Sequence, residues 1–472
     1  MIADKSNTVD ILILSDDVVG PKMAGPGIRA WEIAYSLAKS FSVKLGIPDY
    51  SGEGPEGDYF RDLPFQVFFY SPKNPEVVKR EAQKSRVLVT QGYILAKFPF
   101  LKKSNAFLIV DLYVPFPLEN LFTHLKKIPN VGDRMFLHLR DLRVFNEQIL
   151  YGDHFLCANE RQRDLFIGAL MSLNRINPLW LNGGQTADHM ISVVPFGIRP
   201  EEKAAAERPA LRSKRYGLSK DDIIFLWGGV ISNWFDPLTL VRAFNEGIKR
   251  DSRLKLFFLA TGHPNPLLPE FEMALEARAL SDDLGLTGKH VFFNEEWVDY
   301  RERGCFFIDA DVGVSIHRTH IETHYAFRTR ILDYIKYGLP IISTEGDYFS
   351  DLIGKTGIGL TVPPADTKSL TETILRLADN PQLREEMKDK LREVKKRFYW
   401  DNVTQPLADI CRRTLQGEIT KAPRVKSRDI DFVCGLKDGN FFRESVQKRI
   451  PLLEKAVPIR IKARIKRILR LK

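Results

Sequence analysis

The order in which apolar runs, glycines and amphipathic stretches follow one another restricts this chain to very few architectures. The run DILILS ends at Ser15 and opens into a loop holding Gly20, Gly25 and Gly27. IRAWEIAYSLAKSF follows with apolar residues at helical spacing, and then the run SVKLGI. Strand, glycine loop, helix and strand in that order make a βαβ unit, the opening of a doubly wound parallel sheet. FQVFFYS, SRVLVTQG, NAFLIVDLY, HFLCAN and ISVVPFGI continue the series, separated by helical patterns such as DRMFLHLRDLRVFNEQIL. After the charged, alanine-rich connector RPEEKAAAERPALRSKRYGLSKDD the pattern starts again at IIFLWGG. FDPLTLVRAFNEGIKR, PEFEMALEARALSDDLG and RTRILDYIKYG then read as helices, and LKLFFLAT, HVFFNE, CFFIDADVGVSI and LPIIST as strands. The fold class is α/β, with two Rossmann-like doubly wound domains. Sheets of this kind bind ligands beyond the carboxyl ends of their strands, so the site is expected in an interdomain cleft.

The length of 472 residues supports two domains of comparable size. A composition of 44% hydrophobic and 28% charged residues excludes a disordered chain. The net charge of +10 is concentrated: Lys455 to Lys472 holds eight Lys and Arg and no acid, which leaves the body close to neutral. That distribution, without zinc-finger spacing or aromatic-basic stripes, argues against a nucleic-acid partner. Cys157, Cys305, Cys411 and Cys434 are far apart and read as reduced thiols. The N-terminus lacks the pattern of a signal peptide, and no run approaches the ~20 apolar residues of a membrane span. A cytoplasmic protein is expected.

The stretch HRTHIETHYAFRTRILDYIKYGLPIIST, residues 317–344, is the richest in chemistry. His320 and His324 are four apart, but Glu322 lies between them, whereas the zinc-peptidase signature puts the acid directly after the first histidine. Histidines lining a polar crevice are the more ordinary reading, in a segment whose beginning is expected to be a loop. From Phe327, the apolar positions Phe327, Ile331, Leu332 and Ile335 form a helix stripe that ends at Gly338, with Pro340 opening a buried strand. Two readings of Arg328, Arg330 and Asp333 stand. A helix N-terminus with guanidinium groups suits a phosphate, and the same residues suit a solvated helix face.

The passage DADVGVSIHRTHIETHYAFRTRILDYIKYGLPIISTEGD resembles the donor-binding segment of retaining family 4 (group 1) glycosyltransferases of the GT-B fold. It is similar to a subgroup in which Glu-Thr is followed by FRTRxLDY. GPGIRAWEIAYSLAK, CANERQRDLFIGAL, VVPFGI and GGVISNWFDPLTLVRAF resemble further segments of those enzymes, so the likeness runs to about Leu415. Two departures stand out. The family's acidic-x7-Glu motif is represented by Glu322 and Asp333, ten residues intervening, and the usual Arg and Lys of the diphosphate segment are missing after Gly228 and Gly229.

The resemblance implies retaining transfer of a sugar from a nucleotide-diphosphate sugar to a glycan or lipid-linked acceptor, with no metal and no other cofactor. Glu322 would take hydrogen bonds from sugar hydroxyls, Asp333 the ribose diol, and Arg328 with Arg330 the diphosphate. The backbone at Trp297 and Val298 would hold the base edge, although Trp297 also suits a core. Gly228, Gly229, Gly25 and Gly27 would allow close approach of the donor, although a tight turn accounts for the last two equally. Asp111 stands at a strand end where relatives carry a histidine, and would serve acceptor binding or proton removal. Asp16, Asp17 and Tyr113 would face the acceptor, or the two acids cap a loop.

The expected boundaries are an acceptor domain over 1–198, a donor domain over 199–400, a helix over 401–417 packing back on the first domain, and a basic amphipathic tail over 418–472. That tail, ending VPIRIKARIKRILRLK, suits an anionic membrane surface or a protein partner. It would place the protein on the inner face of a cell membrane, in envelope polysaccharide synthesis. A nucleotide-sugar 2-epimerase of related architecture and a non-catalytic sugar-nucleotide-binding scaffold are the alternative readings.

Overall fold

The computed structural model describes residues 9–50, 57–71, 73–123, 128–182, 186–200, 210–213, 216–262 and 271–421. Two parallel sheets organise them. The first comprises β1 (Val9–Leu14), β2 (Val43–Pro48), β3 (Gln66–Tyr70), β4 (Ser85–Gln91), β5 (Phe107–Asp111), β6 (His154–Cys157) and β7 (Ile191–Val193), in the order β3-β2-β1-β4-β5-β6-β7. The second comprises β8 (Ile223–Val230), β9 (Leu254–Ala260), β10 (Val291–Phe293), β11 (Val312–Ser315), β12 (Ile341–Thr344) and β13 (Gly359–Val362), in the order β10-β9-β8-β11-β12-β13. Both sheets reverse their winding beside the first strand of the domain, between β1 and β4 and between β8 and β11. The chain therefore leaves a crevice at the carboxyl ends of β1 and β8.

The strands are buried on both faces, as sheets covered by helices require. β1 is paired on either side, Ile11 with Val43 of β2 and with Val87 of β4, and Leu12, Ile13 and Leu14 are buried. The helix Gly25–Leu37 crosses over from β1 to β2. Its Gly27 is required by contact: a Cβ there would lie 1.9 Å from the carbonyl oxygen of Val18. The apolar run of Cys305–Ile308, expected as the beginning of a strand, lies instead in the helix Gly304–Asp309. The strand is confined to Val312–Ser315, because Asp309 and Asp311 turn the chain by accepting backbone N–H groups of Leu211 and Ile224.

After Phe398 the chain returns to the first domain. The Ile198 N–H donates to the Phe398 carbonyl at 2.7 Å, and Trp400 packs on Phe196 with ring centroids 5.1 Å apart. Lys39 pairs with Asp401, and the helix Gln405–Leu415 buries Leu407, Ile410 and Cys411. Cys157, Cys305 and Cys411 are free thiols. Among the described residues no helix is long and apolar enough to cross a membrane. The amphipathic stretch up to Lys472 lies outside the described residues.

Substituting Gly27→Ala should force the β1 loop away from the helix. A loss of about 1–3 kcal/mol is expected, the usual cost of overpacking, read as a lowered urea midpoint with an unchanged slope.

Candidate donor site

Tyr334 fixes the geometry of the second domain's strand ends. Its hydroxyl accepts from the Gly228 N–H at 2.9 Å, and its proton faces the carbonyls of Val314 at 2.8 Å and Leu226 at 3.0 Å. The side chain thereby ties the helix Thr329–Tyr337 to β8 and β11 together. Gly228 is required here, since a Cβ would come within 2.7 Å of Phe307 and 3.0 Å of Tyr334. The helix ends at Gly338, in the left-handed conformation, and starts at Arg328 on the wall of a cavity of about 340 Å³ between the two domains.

Arg330 lines that cavity. Its guanidinium lies over the rings of Phe235 at 4.0 Å and Trp227 at 4.5 Å, and one amino group donates to the Val230 carbonyl at 2.7 Å. No carboxylate of the described residues pairs with it, and its other amino nitrogen is buried without a hydrogen-bond partner. Burial pushes its titration down to about 10, so it remains a cation at neutral pH. The aromatic faces and the Val230 carbonyl offset part of its desolvation.

Arg328 also reaches the cavity but is already engaged. Its two amino groups bind Glu322 in a bidentate pair, each at 2.6 Å, and its Nε lies 3.9 Å from Asp347. Glu322 is fully buried in the short helix Ile321–Tyr325 and is absent from the cavity lining, so its placement holds Arg328. Asp333 lines the cavity and pairs with Arg303 at 2.8 Å. Burial raises its carboxyl, and Arg303 and Lys336 work against that.

The histidines are dispersed. His317 is buried 3.4 Å from Asp347, and His320 caps the short helix by accepting the Thr323 N–H at Nδ1 while Nε2 meets the Trp234 carbonyl. Among the described residues no group of three or more His, Cys, Asp and Glu side chains is placed to hold a metal ion.

Residues 221–380 match the model of the family described as "Glycosyl transferases group 1". This stretch is similar to a glycosyl transferase group 1 domain. Solved structures extend the comparison over both domains. Sucrose-phosphate synthase from Thermosynechococcus elongatus is 14% identical, with 87% of this chain and 100% of that chain covered and a TM-score of 0.60. HepE of Anabaena, in complex with UDP and glucose, is 13% identical, with 87% and 100% covered and a TM-score of 0.61. WaaG, a glycosyltransferase involved in lipopolysaccharide biosynthesis, is 14% identical, with 85% and 99% covered and a TM-score of 0.57. No curated protein sequence matches. The shared feature is the fold: two Rossmann-like parallel-sheet domains in the GT-B arrangement.

Around the cavity, the other expected residues divide. Gly228, Gly229 and Trp297 line the cavity, and Val298 packs beside it in the core. From the first domain Gly25, Asp17 and Tyr113 line it, while Gly27 is taken up by the Val18 contact. Asp16 points away, bound to Lys97 at 2.6 Å and to the Tyr93 N–H at 2.7 Å. Asp111 is buried in a bidentate pair with Arg29, at 2.6 and 3.0 Å, and Arg29 in turn holds the Val194 and Pro195 carbonyls and lies over the Tyr113 ring. Asp111 is thus placed to orient Arg29, Tyr113 and the interdomain turn.

Several cavity residues were not singled out from the sequence, among them Phe235, Phe271, Arg303 and Glu119. Glu119, in the helix Phe116–Thr123, faces the Arg328–Glu322 pair from the opposite domain. Burial, reinforced by the Glu322 charge and partly offset by Arg328, pushes its carboxyl up to about 8. The available signal was an acid in the first turn of the helix that follows β5.

Removing the charge in Glu322→Gln should leave Arg328 buried without its carboxylate. Breaking a buried pair from one side costs about 3–5 kcal/mol. The lower end is expected here because Asp347 remains 3.9 Å away. Chemical denaturation of the variant checks it.

Proposed function

We propose that the protein transfers a sugar, with retention and without a metal, from a nucleotide-diphosphate sugar to a glycan or lipid-linked acceptor in the synthesis of a cell-envelope polysaccharide. One observation carries the donor assignment. Arg330 is a buried cation with an unpartnered amino nitrogen, in the lining of the interdomain cavity beside a stretch that matches the glycosyl transferase group 1 model. A diphosphate supplies the charge and the oxygens it lacks. UDP is the first nucleotide to test, since the fold neighbour HepE was solved with UDP and glucose.

Charge develops on the diphosphate as the sugar's anomeric C–O bond breaks and the electron pair leaves with the phosphate. Arg330 and the N-terminus of the helix Thr329–Tyr337 are positioned in advance to stabilise that charge. The acceptor hydroxyl forms the new bond on the face the leaving group departs from. Its proton passes to the departing phosphate oxygen, so no pair of catalytic carboxylates is needed. Asp333 takes the ribose diol with the lone pairs that Arg303 leaves open, and Trp297 flanks the base. The aromatic and apolar surface of Phe235, Phe271 and Phe327 limits water at the reacting centre. The acceptor enters from the side of Asp17 and Tyr113. The basic tail, at Lys455 to Lys472, would hold the enzyme on an anionic membrane surface where a lipid-linked acceptor resides.

A ligand bound only by the folded state raises the melting temperature, by about 2.7 kcal/mol of stabilisation at a hundredfold excess over Kd. UDP-glucose should raise it equally with and without EDTA, and Arg330→Ala, folded by circular dichroism, should lose the shift. A shift that EDTA abolishes would overturn the metal-free reading, and an undiminished shift in Arg330→Ala would overturn the diphosphate assignment.

A further inference from the structure

We infer that Glu119 enters the donor complex as a neutral carboxylic acid and donates a hydrogen bond to an oxygen of the bound nucleotide-diphosphate sugar. The inference rests on the nucleotide-sugar reading and adds a donor contact from the acceptor domain.

Three features of the structure lead there. The first is rigid presentation. Asn120, the next residue, donates to Asp141 at 2.8 Å and to the Tyr93 hydroxyl at 3.1 Å, which ties the helix to its own domain. Phe122 stacks on His320 with centroids 4.2 Å apart, and Asn233 donates to the Thr123 carbonyl at 3.2 Å, which ties the same helix to the donor domain. Glu119 immediately precedes these anchors and lines the cavity that Arg330 also lines.

The second feature is the lack of a cation for it. Arg328 is the guanidinium whose charge it feels, and both amino groups of Arg328 are committed to Glu322. No described residue hydrogen-bonds the Glu119 carboxyl. Two carboxyl groups thus share one guanidinium, and the one without the bidentate bond is the one that keeps its proton. Its position above the ordinary carboxylate range agrees with this.

The third is what surrounds it. Glu322 and Arg328 face it from the donor domain, and Tyr113 from the end of β5. His320 is neutral, one ring nitrogen accepting from Thr323 and the other facing the Trp234 carbonyl, with burial lowering its titration. Asp141, on the helix Val131–Tyr151 behind, is taken up by Tyr93, Asn120 and Arg140. A diphosphate arriving in this cavity adds negative charge beside Glu119. The ionised form would repel it, whereas the neutral acid has a proton to donate to an oxygen of the ligand.

Binding should therefore be linked to proton uptake. If Glu119 titrates near 8 in the free protein and stays protonated in the complex, affinity falls roughly tenfold from pH 7 to pH 9, and about half a proton is taken up per ligand at pH 8. The experiment is calorimetric titration of the full chain with UDP-glucose at pH 7 and pH 9, and at pH 8 in two buffers of different ionisation heat. Glu119→Gln keeps a neutral hydrogen-bond donor, so it should bind within about twofold of the wild type at pH 7, hold that affinity at pH 9, and show no linked uptake. Wild-type binding without proton uptake would overturn the inference while leaving the donor reading intact. So would a pH dependence that survives in Glu119→Gln. The two-buffer experiment on the wild type decides the matter even if the variant does not fold. Absence of UDP-glucose binding at every pH would remove the inference together with its UDP donor.

Discussion

The hydroxyl of Tyr334 is the point on which the donor site is hung. It accepts the Gly228 N–H, and its single proton serves the carbonyls of Leu226 and Val314. Those three groups belong to the strands on either side of the second sheet's winding reversal. A buried phenol that joins a helix to both strands of a switch point fixes the helix axis against the sheet, and every side chain of the helix's first turn inherits that position. Arg330 is carried one turn before Tyr334 on the same helix, so its place over Phe235 and Trp227 follows from the pinned ring.

Charges around the cleft are matched one by one, and the remainder defines the ligand. Arg29 goes to Asp111, Glu32 to Arg199, Arg328 to Glu322 and Arg303 to Asp333. Each pair places charge in a partly desolvated site, where an uncompensated partner would cost several kcal/mol. Two of the cavity's charged groups stand outside these pairs: Arg330, with an unpartnered amino nitrogen, and Glu119, whose carboxyl no described residue hydrogen-bonds. A ligand rich in anionic oxygens satisfies both, provided the carboxyl is protonated. A neutral sugar alone would leave the Arg330 charge unanswered.

The two-sheet architecture was legible because each element's pattern is local: a glycine-bounded apolar run, a helical stripe, and Gly338 followed by Pro340 all lie within a few residues of what they specify. Arg330, Asp333 and the interdomain location were legible for the same reason, through the helix that begins beside them. The partners were not. Glu322 and Arg328 are six residues apart, a spacing that faces no common side of one helix. Their pairing arises because the chain breaks at Ala326 between two short helices. Asp111 looked like a strand-end acid open to a ligand, and what closes it is Arg29, 82 residues away on the first helix. Glu119 takes its character from burial between the domains and then from the Glu322 charge, about two hundred residues downstream, so no window of sequence contains the cause.

The same long-range character bears on how the site is assembled. Several contacts that shape the cavity run between the domains: Arg161 donates to the Gly346 carbonyl at 2.8 Å and pairs with Asp351 at 2.6 Å, and Gln162 bridges the carbonyls of Tyr113 and Tyr325. On the opposite side the Tyr300 N–H donates to Pro21 and its hydroxyl to Glu32. Each of these is worth about 1 kcal/mol, and buried apolar side chains of both domains, among them Ile13, Phe196, Leu226, Phe349 and Trp400, join one cluster beside them. Separating the domains would therefore expose part of that cluster and would take Glu119 away from Glu322 and Arg328. Burial in the cavity it shares with Arg330, and then the Glu322 charge, raise the Glu119 carboxyl, so its protonation depends on the two domains staying together.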